Sequence, residues 1–238
     1  MQARLAKIAV TSLSISIVSL TLAAWSGGVE HSSRRWWRWA DFGGCTVPQG
    51  GDTKESSVRL DWEPGDRLDI ALPANVDYRP GPKGEAVISG QAWLLEHVRL
   101  AAGRLAYEAG FDCAPGRLSV ALTGPAVTNW RMQGSGRLNL DGIDQESLDI
   151  GISGSGDVTA SGTAGRMALR ISGSGSAAMA KLALKTAELR ISGRGDADIA
   201  PQDEADIHIS GSGNVTLHGH PTRLQTRISG SGRISEAP

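Results

Sequence analysis

The stretch Ile152-Ser153-Gly154-Ser155-Gly156-Asp157-Val158-Thr159 is one copy of a pattern that recurs through the second half of the chain. An Ile-Ser-Gly-x-Gly segment begins again at residues 171, 191, 209 and 228, and Gly134-Ser135-Gly136 precedes the series. Successive copies lie about 19 residues apart, and a fixed period of this length is the signature of a repeat architecture.

Each copy alternates apolar and polar residues on both sides of its Gly-x-Gly turn. Leu148, Ile150 and Ile152 precede the turn at Gly154, and Val158 follows it. A period of two is typical of β-strands with one buried face. A repeat of this length holds two or three short strands, so each copy is predicted to form one coil of a β-solenoid.

Stacked coils place equivalent residues in ladders with a spacing of about 4.8 Å. The inward ladder is predicted to contain Ile152, Ile171, Ile191, Ile209 and Ile228. The corner ladder is predicted to contain Ser153, Ser172, Ser192, Ser210 and Ser229. The glycines at the turns allow positive φ or close approach between coils. Because parallel crossovers are right-handed in nearly all proteins, we expect an all-β fold, a right-handed, single-stranded parallel β-helix.

Residues 56–132 keep the alternation but lack the Gly-Ser-Gly turns. Val58-Arg59-Leu60-Asp61-Trp62 is one such alternating segment, and Pro64-Gly65 and Pro115-Gly116 supply turns. Only Trp93 to Leu100 is predicted as a short helix. We therefore expect one β-helical domain over residues 56–238, with an irregular β part (56–132) that covers the first coil end and Gly-Ser-Gly repeats from residue 133 onward.

The composition excludes several classes of protein. The chain has 238 residues, a formal net charge of −1 and 31 glycines, but only two phenylalanines and two tyrosines. A near-zero charge argues against a nucleic-acid partner, which would require a basic surface. Two cysteines are too few for a disulfide-framework protein or a four-thiolate zinc site. The scarcity of phenylalanine and tyrosine predicts an aliphatic core.

Residues 1–26 have the pattern of an export signal or a membrane anchor. Arg4 and Lys7 precede the uncharged stretch 8–24, and a basic segment before an apolar one is typical of signal peptides. Ala24-Trp25-Ser26 offers a small-x-small cleavage site. The apolar stretch also reaches the lower length limit of a membrane span. The pattern fits both a cleaved signal and a retained anchor. Either interpretation predicts an extracytoplasmic domain, periplasmic or anchored in the membrane.

Residues 27–55 are predicted to form a juxtamembrane linker. The candidate membrane-interface residues are Arg34, Arg35, Trp36, Trp37, Arg38 and Trp39. Indole rings prefer the headgroup region of a bilayer and arginines bind anionic lipids, so we expect membrane association. Alternatively, the tryptophans dock on the folded domain. The positive-inside rule also disfavours arginines on the exported side of a retained anchor.

The two cysteines of the chain are Cys45 and Cys113. In an oxidising compartment they could form a disulfide that ties the linker to the folded domain. Two separate thiols are the alternative.

Two segments of the chain resemble a known family. The segment Asp66-Arg67-Leu68-Asp69-Ile70-Ala71-Leu72-Pro73-Ala74 and the repeat at residues 152–159 resemble the GIN-domain family of auto-transporter adhesin heads. The resemblance covers roughly residues 56–235. It implies a β-helical protein of the bacterial envelope behind a signal or membrane segment, and it brings no catalytic motif. The chain departs from the repeat at Arg194, where serine is usual, and in the alanine-rich segment 176–180.

Two aspartates are the candidates for catalysis or calcium binding. Asp157 and Asp196 follow Gly-x-Gly turns two coils apart, roughly 9.6 Å by the strand spacing. This is near the wide end of the range for an inverting acid/base pair. Ser176 lies between them, which favours capping of the turns instead. In calcium-binding repeats the aspartate comes one residue later, so these aspartates fit that pattern poorly.

Three histidines are the candidates for a transition-metal site. His218 and His220 share one strand face, and His208 lies in the preceding strand. Pro221 follows at once, which favours a solvated turn. We therefore predict no metal site and no cofactor.

These observations predict a non-enzymatic, adhesin-like binding module of the cell envelope. Its expected partner is an envelope protein or carbohydrate, because ladders of polar side chains could form many repeated hydrogen bonds. The alternative is a structural protein that stacks or scaffolds at the membrane, since an open solenoid end is a strand edge that invites self-association. A polysaccharide-active β-helix enzyme is the third possibility.

Overall fold

The computed structural model describes residues 54–111 and 116–237, which form one 15-stranded sheet and a short helix. The strands are β1 (Glu55–Asp61), β2 (Arg67–Ile70), β3 (Ala74–Pro80), β4 (Glu85–Gln91), β5 (Val98–Ala101), β6 (Arg104–Tyr107), β7 (Leu118–Gly124), β8 (Asn129–Gly134), β9 (Gly136–Gly154), β10 (Asp157–Gly173), β11 (Ser176–Gly193), β12 (Asp196–Gly211), β13 (Asn214–His218), β14 (Arg223–Gly230) and β15 (Arg233–Ala237). The helix is α1 (Ala92–Leu95).

Four sequence-based expectations fall outside the described residues. They are the signal or anchor at 1–26, the linker up to residue 53, the candidate membrane-interface residues 34–39, and the pairing of Cys45 with Cys113. Within the described part of the chain, the helix α1 has four residues and is too short to cross a membrane.

The repeats form a parallel β-solenoid of about five coils. β9, β10, β11 and β12 pair in parallel, each with the next, and β13 and β14 both pair with β12. The register aligns the turn glycines of successive coils, which are Gly154, Gly173, Gly193, Gly211 and Gly230. The predicted solenoid and its period are confirmed, and right-handed winding stays a prediction.

The corner of each coil requires glycine for two reasons. Gly193 has a φ of +125°, which L side chains rarely adopt. A Cβ atom on Gly193 would also lie 2.3 Å from the carbonyl oxygen of Gly173 in the preceding coil. The coils therefore approach each other too closely at the corner for a side chain to fit.

The inward ladder is buried up to the last coil. Ile152, Ile171, Ile191 and Ile209 are each at most 2% exposed. Ile228 continues this ladder in register with Ile209, but it is 43% exposed, so the expected burial is wrong at this position. β14, which contains Ile228, pairs with β12 alone among the described strands, so no further coil covers its apolar side.

The strands before residue 129 form the other end of the solenoid. β2 and β3 pair in parallel with β8 and β9, which makes them a coil of the stack. β6 and β7 continue this stack outward in parallel. β4 then pairs antiparallel with β7, and β1 pairs antiparallel with β4. This end of the sheet therefore finishes in antiparallel strands.

Two expectations about this end need correction. The predicted helix from Trp93 to Leu100 stops at Leu95, and the following segment, strand β5, pairs antiparallel with β6. The alternating burial of β5 suits a strand better than a helix. The core is also not purely aliphatic, because Tyr78 and Trp130 are fully buried with ring centroids 4.9 Å apart.

Candidate ligand-binding face

The strands that lead into the turns carry a column of cationic side chains on their outer face. The parallel register aligns Arg131, Gly151, Arg170, Arg190, His208 and Arg227 in successive coils. We call the five side chains other than Gly151 the arginine column. Neighbouring members of a parallel ladder lie about 4.8 Å apart, so the column follows the solenoid axis.

A column of serines lies beside the arginine column, two residues further along each strand. It contains Ser153, Ser172, Ser192, Ser210 and Ser229, all of them exposed. In the described part of the chain, none of these hydroxyl groups has a hydrogen-bond partner. Together the two columns form what we call the arginine–serine face. The predicted corner ladder of serines is present, and its hydroxyl groups are available to a ligand.

Two arginines of this face share one carboxylate. Nη1 of Arg131 and Nη1 of Arg170 each lie 3.1 Å from Oδ1 of Asp149. The Asp149 charge balances only one of the two guanidinium groups, so one positive charge remains uncompensated at this point. The side chain of Arg170 is 47% exposed, which leaves it accessible to an anion.

Gly151 creates a depression between these two arginines. A Cβ atom at this position would lie 2.8 Å from Cδ of Arg131, so the Arg131 side chain crosses the space that a larger residue would occupy. A groove of about 360 Å³ opens here. It is lined by arginine side chains and by the serine column, with Met132 among its apolar lining residues.

The remaining cations of the face differ in how they are paired. Arg190 forms an ion pair with Glu188, and Nδ1 of His208 lies 3.5 Å from Oδ1 of Asp206. Arg227 has no ion-pair partner among the described residues. At the opposite end, Nε of Arg67 lies 2.7 Å from Oδ1 of Asp69. Hydrogen bonding to Asp69 raises the pKa of Arg67 above its ordinary value.

Polar side chains on the strands that follow the turns are used to join coils. Asn139 donates a hydrogen bond to Asp77 at 3.0 Å and accepts one from Thr159 at 2.9 Å. Such ladders tie neighbouring coils together and leave fewer free groups for a ligand. This contrast selects the arginine–serine face as the candidate site.

The two candidate catalytic aspartates also form hydrogen bonds between neighbouring coils. Ser176 separates them in the register and donates a hydrogen bond of 2.6 Å to Oδ1 of Asp157. Oδ1 of Asp196 accepts hydrogen bonds from the backbone and side-chain nitrogens of Asn214 at 2.9 and 3.0 Å. Both carboxylates therefore accept hydrogen bonds from the neighbouring coil. The sequence had predicted instead that each aspartate caps its own turn.

The structure does not bring the three candidate histidines together. His208 lies in β12 beside Asp206, whereas Nδ1 of His220 lies 3.1 Å from Oε2 of Glu236. His218 lies at the end of β13. Within the described ranges, no three histidine, cysteine or acidic side chains converge on one point.

The β5–β6 hairpin carries a polar cluster that the sequence did not predict. Nδ1 of His97 lies 2.5 Å from Oε1 of Glu108, and Nη2 of Arg99 lies 2.8 Å from Oε2 of the same residue. The His97 ring stacks on Phe111 with a centroid distance of 4.2 Å. Hydrogen bonding to His97 lowers the pKa of Glu108. The β5–β6 hairpin forms this cluster by bringing together residues whose spacing in sequence carries no recognisable motif.

Comparison with known families identifies the repeat segment. Residues 119–221 match the family described as "Putative auto-transporter adhesin, head GIN domain". Over this segment the chain is similar to GIN domains. The resemblance inferred from the repeat is confirmed over these residues, which include the cationic side chains from Arg131 to His208.

Solved structures are similar to this chain, and one of them supports the fold. A putative adhesin from Bacteroides fragilis matches with a TM-score of 0.62 and 18% identity, over 79% of this chain and 99% of that one. A putative lipid binding protein and a putative adhesin, both from Parabacteroides distasonis, have TM-scores of 0.47 and 0.48 and identities of 16% and 18%. Each covers 79% of this chain and 98% of its own. Comparison with curated proteins finds no match.

Proposed function

We propose that this protein is a non-enzymatic, adhesin-like binding module of the bacterial cell envelope, and that its arginine–serine face binds an acidic polysaccharide. The observation that carries the proposal is a row of serine hydroxyls, without partners among the described residues, beside a column of cationic side chains, four of which are arginines. The GIN-domain match supports a binding role in the envelope.

The spacing of the face suits a linear, repeating ligand. Ser153 and Ser229 mark the ends of the serine column, four coil steps or about 19 Å apart. A linear acidic polysaccharide carries hydroxyl and carboxylate groups at regular intervals, so it has a partner for both columns. Guanidinium groups bind carboxylates through paired, charge-assisted hydrogen bonds, which are stronger than those between neutral groups.

The charges of the face favour an anionic ligand over a neutral one. Arg131 and Arg170 share Asp149, and Arg227 has no anionic partner in the described residues. A ligand carboxylate placed between Arg170 and Arg190 would balance the surplus charge. Both side chains are about half exposed, so binding removes little solvent from buried groups.

The proposal is tested by removing two charges from the face. We expect Arg170→Gln with Arg190→Gln to weaken binding of polygalacturonate at least about tenfold, because each charge-assisted hydrogen bond contributes about 1.5–3 kcal/mol. Isothermal titration calorimetry of the full chain measures the change. Added salt should also weaken binding by the parent chain, because the exposed charges are screened.

The matched control removes the same charge from other surfaces. Arg137→Gln with Lys181→Gln changes two exposed residues on strands that follow the turns, and it should leave the affinity unchanged. Equal loss of affinity in the two double variants would contradict the proposal. So would binding of neutral dextran as tightly as polygalacturonate.

A further inference from the structure

The last coil presents an apolar surface that nothing in the described structure covers. Leu224 and Ile228 are 38% and 43% exposed, and every residue of β14 is exposed. The equivalent residues one coil earlier, Ala205 and Ile209, are 0% and 2% exposed. Two aliphatic side chains that are buried at the equivalent positions of the preceding coil are thus exposed in this one.

The same coil has free hydrogen-bonding edges. Among the described strands, β14 pairs with β12 alone and β15 pairs with β13 alone. The backbone groups on the outer edges of both strands are therefore available to another strand. Proteins commonly block such edges with a cover or with charges that point inward. Here the inward residues of β14 are Leu224, Thr226 and Ile228, none of which is charged.

We propose that β14 pairs antiparallel with β14 of a second copy of this chain, about a two-fold axis at Thr226. This register places Leu224 of each copy opposite Ile228 of the other, on the apolar side. On the outer side it places Arg227 opposite Gln225. No like charges face each other directly, so the strand is complementary to itself in both apolar pattern and charge.

The exposed edge at the opposite end of the sheet fits β14 less well. The aliphatic residues of β1 are Val58 and Leu60, two residues apart, whereas Leu224 and Ile228 are four residues apart. In any register within β1, only one of the β14 side chains can face an aliphatic partner. The two-fold arrangement pairs both, which favours a closed dimer over an open head-to-tail filament.

Pairing through β14 would also extend the arginine–serine face. Arg227 and Ser229 lie on the outer side of β14. The arginine–serine faces of both copies would therefore lie on one side of the joined sheet, with the columns of the two copies offset from each other across the shared edge. A polysaccharide long enough to reach both copies would then bind with an effective concentration set by the dimer, and its avidity would rise. The pairing itself is independent of what the face binds.

Sedimentation equilibrium of the full chain tests the pairing. The parent chain should sediment as a dimer, and the double substitution Leu224→Glu with Ile228→Glu should give a monomer. Val58→Glu replaces a residue of similar exposure, 40%, at the other end of the sheet and should stay dimeric. A monomeric parent chain, or loss of assembly on Val58→Glu, would overturn the proposal.

A cross-link distinguishes β14 pairing from association through any other segment. Residues opposite each other in an antiparallel pair have Cα atoms about 4.5–5.5 Å apart, within the range of a disulfide. Thr226→Cys should therefore form a disulfide between the two copies at position 226 under mild oxidation, identified by mass spectrometry of peptides. Val58→Cys should form no such self-link. Failure of Thr226→Cys to link two copies would contradict the two-fold axis.

Discussion

At the scale of single residues, the solenoid depends on glycines where neighbouring backbones meet. Gly193 combines positive φ with a close approach to Gly173. Gly219 also has positive φ, +100°, but its Cβ position is open to at least 4 Å. The two glycines therefore separate the cost of an unusual backbone conformation from the cost of a steric clash.

This difference predicts unequal effects of alanine. Gly193→Ala should lower the free energy of unfolding by about 2 kcal/mol more than Gly219→Ala, because only the former forces two coils apart. Urea denaturation followed by circular dichroism measures both values. Equal destabilisation would mean that the corner does not depend on close contact.

At the scale of single elements, the position of a coil in the stack decides whether its inward residue is buried. The alternating pattern predicted inward side chains in every coil, and this is correct for Ile191. Ile228 lies in the same ladder but is 43% exposed, because β14 pairs with β12 alone among the described strands. The pattern around the turns thus predicted the strands. The exposure of the inward side chains in the final described coil was visible only in the structure.

Substitution by aspartate should have different effects on the fold at Ile191 and at Ile228. Ile191→Asp should unfold the solenoid, since a carboxylate buried between coils costs several kcal/mol. Ile228→Asp should retain the parent circular dichroism spectrum, because the side chain is 43% exposed. Thermal melting of the two variants provides the test. A stable Ile191→Asp variant would show that the inward assignment is wrong.

The β5–β6 hairpin should contribute to stability in a pH-dependent way. The folded pKa of Glu108 lies below its ordinary value of 4.5, chiefly because of the hydrogen bond to His97. Its contribution is therefore present above about pH 4.5 and lost as the pH falls through the lower, folded pKa. Glu108→Gln should flatten this part of a stability profile measured between pH 6 and 3. An unchanged profile would contradict the assignment.

At the scale of the whole molecule, local patterns predicted the repeats better than the long-range pairings. β2 pairs with β8, whose residues lie some 60 positions further along the chain. No spacing in the sequence predicts that register. The burial of Tyr78 and Trp130 depends on it. Similarly, the serines were predicted as a ladder because they recur within the motif. The arginine column emerged only when the register aligned Arg131, Gly151 and Arg170.

Chemical modification of arginines shows whether the arginine–serine face is a ligand-binding surface. The full chain is treated with phenylglyoxal with and without polygalacturonate, and each arginine is quantified by mass spectrometry. Arg170 and Arg190 should be protected by the polysaccharide, whereas Arg137 should react equally in both samples. Protection of Arg137 alone, or of none of the three, would contradict the account.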